Sequence, residues 1–453
     1  MVTLRVIVDD VLESVGTARA ERVIDLVRML AATAPAGCEL ELVVARRSPD
    51  ELVTLRGILP DAARVTALPL SPRALAVAWA SNRGGLAGIV HAPTPLAPVG
   101  QERFDGQIVV GLDDARHAAG SAVDRRLLRR ALRFADAVVV ATHAAADALA
   151  LPDDRVRVIA PGPSERLVEA VGRAGARPAA IAAEAVGEED EVAATERLAV
   201  PGDAATRPRP DFDALLAGEP DRTASALSSS GSSSSSASAA STAEIATAQR
   251  PGPAARATGS TAPGTASSTG SGDAVLIAAP DGDGHGLAVA TAALASIPLA
   301  DTQALFLLGS PGAVSVVRRA AAAARLPEHR IRLVDGRDPD AAVAAYRQAG
   351  VVLHTDVDDP LGAGLLDAFL TGAPVVYAGS PALREIAAEA GRPVDPELLG
   401  RRADAARAFA ETVAHVLRDR DEAARLRLLG EDRVGAFTWR DAAERIWQLH
   451  AEL

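Results

Sequence analysis

The chain has 453 residues, is 48% hydrophobic but only 3% aromatic, and carries a formal net charge of −12. That length accommodates two or three domains with cores of Ala, Val and Leu. The acidic balance argues against nucleic acid as a main partner, because phosphate binding needs a basic face.

The N-terminal MVTLRVIVDDVLESVG places acids inside its apolar run, so it reads as a strand and not as a signal peptide. No apolar run approaches the roughly 18 to 20 residues needed to span a bilayer, which leaves a soluble cytoplasmic protein as the default. Seven apolar strands come in order, at Leu4–Val8, Leu40–Val44, Val65–Leu68, Gly88–His91, Ile108–Leu112, Ala137–Ala141 and Val156–Ile159. Helical patterns separate most of them, notably Ala18–Ala32 and Ala122–Phe134. On the latter, Arg125, Arg129 and Arg133 fall on one face. A solvated face paired with acids is the plain reading. Peripheral contact with anionic lipid headgroups is the alternative, and it would suit a lipid-linked acceptor.

Composition shifts sharply between about Gly172 and Gly272. The acidic GEEDEVAATE (Gly187 to Glu196) leads into Pro-rich and then Ser-rich tracts. Such a stretch has too little apolar side chain to offset its ordering entropy and reads as a disordered linker, except for a short helix around Phe212 to Leu216. About 100 flexible residues have a root-mean-square span of roughly 50 to 60 Å. Beyond it, strands recur at Ala274–Ala278, Ala304–Leu308, Ile331–Val334, Val351–Leu353 and Val375–Tyr377. Alternation of this kind means βαβ units and parallel sheets. The expected fold is α/β, with two Rossmann-like domains: 1–164 completed by a C-terminal helix 438–453, a linker 165–273, and 274–437.

Within the second half, Asp359-Pro-Leu-Gly-Ala-Gly-Leu-Leu-Asp367 places two carboxylates eight positions apart around a Gly-containing turn and a helix start. A helix N-terminus offers unpaired N–H groups and a positive dipole end, which suits a phosphate. Asp367, on the first turns of that helix, can accept from a sugar diol. The other chemistries leave weaker signals. The single cysteine, Cys38, excludes an intramolecular disulfide and a cysteine metal cluster, and the eight histidines are scattered. Gly282, Gly284 and Gly286 imitate a dinucleotide fingerprint, but Asp281 and Asp283 would repel a pyrophosphate. Neither a Gly-x-Ser-x-Gly nor a P-loop is present.

The 359–367 segment, continued by Gly372-Ala-Pro-Val-Val, resembles the donor-site signature of the retaining glycosyltransferases of family 4, which have the GT-B fold. Ser380 to Glu397 and the ending AFTWRDAAERIWQLHAEL resemble that family's later segments. In the first half Ser14 to Arg19, His91-Ala-Pro-Thr and Arg133 to Val140 match in order. The resemblance implies a GT-B arrangement of the two domains and sugar transfer, with retention, from a nucleotide-diphosphate donor. It implies no metal or other cofactor, and an unknown acceptor that is lipid-linked or a polysaccharide. It assigns the donor sugar to Asp359, the ribose to Asp367, and the distal phosphate to the amides of Leu361, Gly362 and Ala363. Gly16 and Arg19 would approach the phosphates from across the cleft.

Three departures bear on activity. Both family glutamates are aspartates here. The family's His-Asp is Asp113-Asp114, which puts Asp113 where an imidazole would touch the sugar. The Arg and Lys that clamp the diphosphate are replaced by Pro280-Asp-Gly-Asp-Gly-His-Gly286. Two charge-assisted hydrogen bonds are worth about 3 to 6 kcal/mol together. Their loss keeps open a second reading, a catalytically inactive GT-B-like binding or scaffolding protein.

Overall fold

The computed structural model describes residues 2–13, 18–59, 63–99, 106–112, 121–149, 151–175, 274–279, 284–297, 302–310, 312–356, 359 and 361–453. Gly16, Asp113, the 280–283 turn and the short helix expected around Phe212 to Leu216 lie outside them. Contacts gather Met1–Phe212 and Gly270–Leu453 into one unit that contains two β-sheets.

Runs of β-branched and small apolar residues make the strands. The first sheet holds β1 (Val2–Ile7), β2 (Cys38–Val44), β3 (Arg64–Ala67), β4 (Gly88–Ala92), β5 (Gly106–Gly111), β6 (Ala137–Val140) and β7 (Val156–Val158). Their spatial order is β3-β2-β1-β4-β5-β6-β7, all parallel. The second sheet holds β8 (Ala274–Ala279), β9 (Gln303–Leu308), β10 (Ile331–Asp335), β11 (Ala349–His354), β12 (Val375–Ala378) and β13 (Gly391–Val394). Its order is β10-β9-β8-β11-β12-β13, again parallel. Central strands are buried on both faces, as β6 shows with four buried residues in a row. Helices begin where the sequence supplies caps. Ser48 with Glu51 and Ser121 with Asp124 form reciprocal capping boxes, and Asp338 caps the Pro339–Gln348 helix.

In each sheet the strand order reverses once, between β1 and β4 and between β8 and β11. Open α/β sheets bind ligands outside the carboxyl ends of the strands at such points. The loops after β1, β4 and β11 are therefore the ones that matter for function.

Two helices tie the halves together. The C-terminal Trp439–Glu452 helix returns to the first sheet, where Trp439, Ala443, Ile446 and Trp447 join a core containing Leu4, Val27 and Leu42. The Trp447 indole N–H donates to Leu30 O at 3.1 Å. The Glu165–Arg173 helix falls inside the stretch expected to be linker. Leu167, Ala170 and Val171 instead pack into the second core beside Leu276, Tyr346 and Phe369. Three apolar side chains at helical spacing are enough to hold that helix, so the folded part extends past 164. Among the described residues, no helix is long and apolar enough to cross a membrane.

The chain passes between the halves at Pro161 to Ser164, and Gly162 is wedged against the C-terminal helix. A Cβ there would lie 2.7 Å from Trp439 N and 2.9 Å from its ring Cδ1. Backbone on one side and a buried indole on the other leave no room to yield. Gly162→Ala is expected to destabilise the protein by about 1 to 3 kcal/mol, an overpacking cost. A denaturant titration followed by circular dichroism checks this, and an unchanged midpoint would show that the passage has room for a methyl group.

Candidate functional site

β11 ends at His354, and Asp359 stands in the turn after it. Its Oδ1 accepts from Leu361 N and Gly362 N, each at 3.1 Å, so the carboxylate caps the turn leading into the Ala363–Leu370 helix. Gly362 enters that helix with φ 58°, the left-handed region glycine tolerates best. Any side chain there would also collide with Ile386, whose Cδ1 would lie 2.8 Å from an added Cβ. Asp359 Oδ2 is 3.4 Å from His354 Nε2 without hydrogen-bonding geometry, and that ring nitrogen is buried without a partner. Two of the three amides expected to hold a phosphate are thus occupied by a carboxylate of the chain itself. The third, Ala363, opens the helix.

Asp367 lies one turn further along. Its Oδ1 accepts from Ser164 N at 2.9 Å, across from the second half to the crossover backbone. Burial pushes its carboxyl up to about 6, against the Ser164 bond and the charges of Arg166 and Arg22, with Asp359 adding to the rise. The same enclosure, with the Asp367 charge second, raises the Tyr346 phenol well above its ordinary value.

The first half faces this turn with a small cavity of ≈ 50 Å³, lined among others by Arg22, His91, Gly111, Pro161, Leu361 and Trp439. Among the described residues of the 359–367 segment, Leu361 reaches it. His91, at the end region of β4, is 1% exposed and meets His450 of the C-terminal helix edge-on, ring centroids 5.6 Å apart. Burial, with His450 second, pushes His91 down to about 3, and burial alone takes His450 down to about 4. Both rings are therefore neutral at physiological pH.

Arg19, expected to approach the donor phosphates, stands in the first turn of the Ala18–Ala32 helix. Its guanidinium pairs with Asp10 at 3.0 Å, and Asp10 also accepts from Thr94 Oγ1 at 2.9 Å. One turn later, Arg22 lines the cavity instead, with its Nε buried and unpartnered. Arg166, the second residue of the Glu165–Arg173 helix, has an Nε in the same condition. Sequence reading missed both arginines. The available signal was the helical spacing of Arg19 and Arg22, but the partner that removes Arg19 becomes visible only once β1's exit loop is folded.

Beside the crossover, Asp25 is 2% exposed and accepts from Glu165 N at 3.2 Å. Burial is the main cause that lifts it to about 7, with Glu165 and Glu21 adding to the rise while the Glu165 N–H and Arg28 oppose it. A carboxyl raised above its unfolded value stabilises fully below about pH 4, and that contribution is lost as pH rises through about 7. Asp25→Asn should therefore gain unfolding free energy over the wild type between pH 5 and pH 8, by on the order of 3 kcal/mol. Parallel denaturant curves at the two pH values test it; a difference that stays constant would mean Asp25 is not held protonated.

Comparison with known proteins bears on the fold. A scan against protein-family models finds no match, and no curated protein matches either. Among solved structures, sucrose-phosphate synthase from Thermosynechococcus elongatus superposes with a TM-score of 0.59 at 16% identity, covering 100% of this chain and 99% of that one. Anabaena HepE in complex with UDP-glucose gives 0.56 at 13% identity, with 100% of both chains covered. A trehalose-6-phosphate synthase, studied for glycosyl transfer with retention, gives 0.54 at 10% identity and covers 99% of each. At these identities the likeness establishes architecture: two Rossmann-like domains in the GT-B arrangement of glycosyltransferases.

Proposed function

We propose that the protein transfers a sugar from a nucleoside-diphosphate donor to an acceptor, with retention of configuration and without a metal. The observation that carries this reading is the helix from Ala363 to Leu370. It is entered through a left-handed glycine and carries a carboxylate, Asp367, facing the crossover. The neighbours' folds belong to sugar transferases, and one of them was solved with UDP-glucose bound.

In this reading Asp367 holds the ribose. Its Oδ1 is engaged by Ser164, and among the described residues its Oδ2 has no hydrogen-bond partner, so one oxygen is open to a hydroxyl. Asp359 turns from the Leu361 and Gly362 amides to the donor sugar as the distal phosphate takes its place on the helix terminus. The C1–O bond to phosphate breaks, the acceptor oxygen bonds to C1, and the acceptor proton passes to the leaving diphosphate. No side-chain base is needed. The acceptor is left open between lipid-linked and polysaccharide classes. Asp113 and Gly16 keep their places in this proposal, Asp113 beside the donor sugar and Gly16 on the phosphate side.

Two observations favour the inactive binding-protein reading: the turn amides are occupied by Asp359, and the cavity is small. Calorimetric titration with UDP, GDP and ADP separates the two. Saturable binding of one nucleotide, weakened about tenfold or more in Asp367→Ala for loss of a charge-assisted hydrogen bond, is the expected result. Absence of binding at millimolar nucleotide would leave the binding-protein reading standing.

A further inference from the structure

A nucleoside diphosphate brings at least two negative charges into the cleft, and this chain offers little to meet them where the resemblance places the clamp. Residues 280–286 read Pro-Asp-Gly-Asp-Gly-His-Gly, with two acids and no Arg or Lys. The helix terminus at Gly362 supplies about 2 kcal/mol at most. Positive charge therefore has to come from another part of the fold.

The Ala18–Ala32 helix carries three arginines, and their fates differ. Arg19 pairs with Asp10, and Arg28 donates to Ile58 O. Arg22 has neither an ion pair nor a hydrogen bond among the described residues, its Nε is buried, and its side chain lines the cavity together with Leu361. Arg166 approaches from the crossover. Its Nε is also buried without a partner, and its ion pair with Glu21 is long at 3.9 Å. Both arginines act electrostatically on Asp367, which places their charge within reach of the donor helix. A buried N–H without an acceptor costs about 1 to 3 kcal/mol. Arg47, Arg130 and Arg392 also bury an Nε atom with no hydrogen bond, but Arg22 and Arg166 are the two of these five whose charge acts on Asp367, and an arriving anion would satisfy both.

We propose that Arg22 and Arg166 form the clamp for the donor diphosphate, standing in for the Arg and Lys absent from 280–286; this rests on the nucleotide-sugar reading. The clamp comes from the first-half helix and the crossover, opposite the helix that holds the ribose. The diphosphate is therefore gripped from both sides of the cleft, and the guanidinium charges meet the negative charge that grows on it as the C1–O bond breaks. Arg is suited to this, because its planar fork binds phosphate oxygens in pairs.

The test is calorimetric titration of UDP, GDP and ADP, each beside its parent nucleoside, into wild type, Arg22→Met, Arg166→Met and Arg22→Lys. The diphosphate-over-nucleoside preference of the wild type should fall about 10- to 100-fold in each Met variant, the loss of a charge-assisted contact. Nucleoside affinity should be unchanged, and Arg22→Lys should recover part of the preference. Melting curves confirm that each variant is folded, and the internal ratio is insensitive to modest loss of stability. A wild type that binds nucleoside diphosphate, with Met variants keeping the full preference, overturns the clamp alone. A wild type that binds none of them overturns the nucleotide-sugar reading and the clamp with it.

Discussion

Three consecutive backbone groups at the crossover hold this molecule in its arrangement. Pro163 O accepts from the Trp439 indole at 2.9 Å, Ser164 N donates to Asp367, and Glu165 N donates to Asp25. The partners come from the C-terminal helix, the Ala363–Leu370 helix and the Ala18–Ala32 helix. Each satisfies a backbone group that burial would otherwise leave at a cost of about 1 to 3 kcal/mol. The position of the two sheets and the orientation of Asp367 are consequently one constraint, and a ligand that pulls on Asp367 also pulls on the crossover. Glu385 adds a second tie, accepting from His143 N and Ala144 N at 2.8 and 2.9 Å.

Charge in the cleft comes from the same geometry. Asp359 sits on the turn amides as an internal anion, and Asp367 stands about one turn into the following helix with a carboxyl raised to about 6. Arg22 and Arg166, each without a hydrogen-bond partner at Nε, act on the Asp367 charge. In the proposed reading, exchange of the Asp359 carboxylate for a phosphate would conserve the sign of the charge on the helix terminus. The His91–His450 pair is neutral, and its rings add no charge to the balance.

Much of this was legible in the sequence because parallel strands announce themselves as unbroken apolar runs. Val138 to Val140 and Val375 to Val376 could hardly be anything else. β13 was not legible: Gly391-Arg-Pro-Val carries a glycine and a proline, tolerated because it pairs with β12 at the sheet's edge. The Glu165–Arg173 helix was hidden by the acidic, Pro-rich and Ser-rich tracts on its C-terminal side, although Leu167, Ala170 and Val171 already had helical spacing. At the site, Asp359, Gly362 and Asp367 are local in sequence, and their turn and helix could be read directly. Arg22, Arg166 and the His91–His450 contact join residues far apart in the chain, and no local pattern specifies which of several arginines finds a partner.

Hydrogen exchange with and without a saturating nucleoside diphosphate tests most directly whether one ligand is held from both sides of the cleft. The account predicts added protection in two separate segments at once, 361–370 and 18–32, because the donor helix and the Arg22 helix close on the same diphosphate. Protection confined to 361–370, or to neither segment, would contradict it.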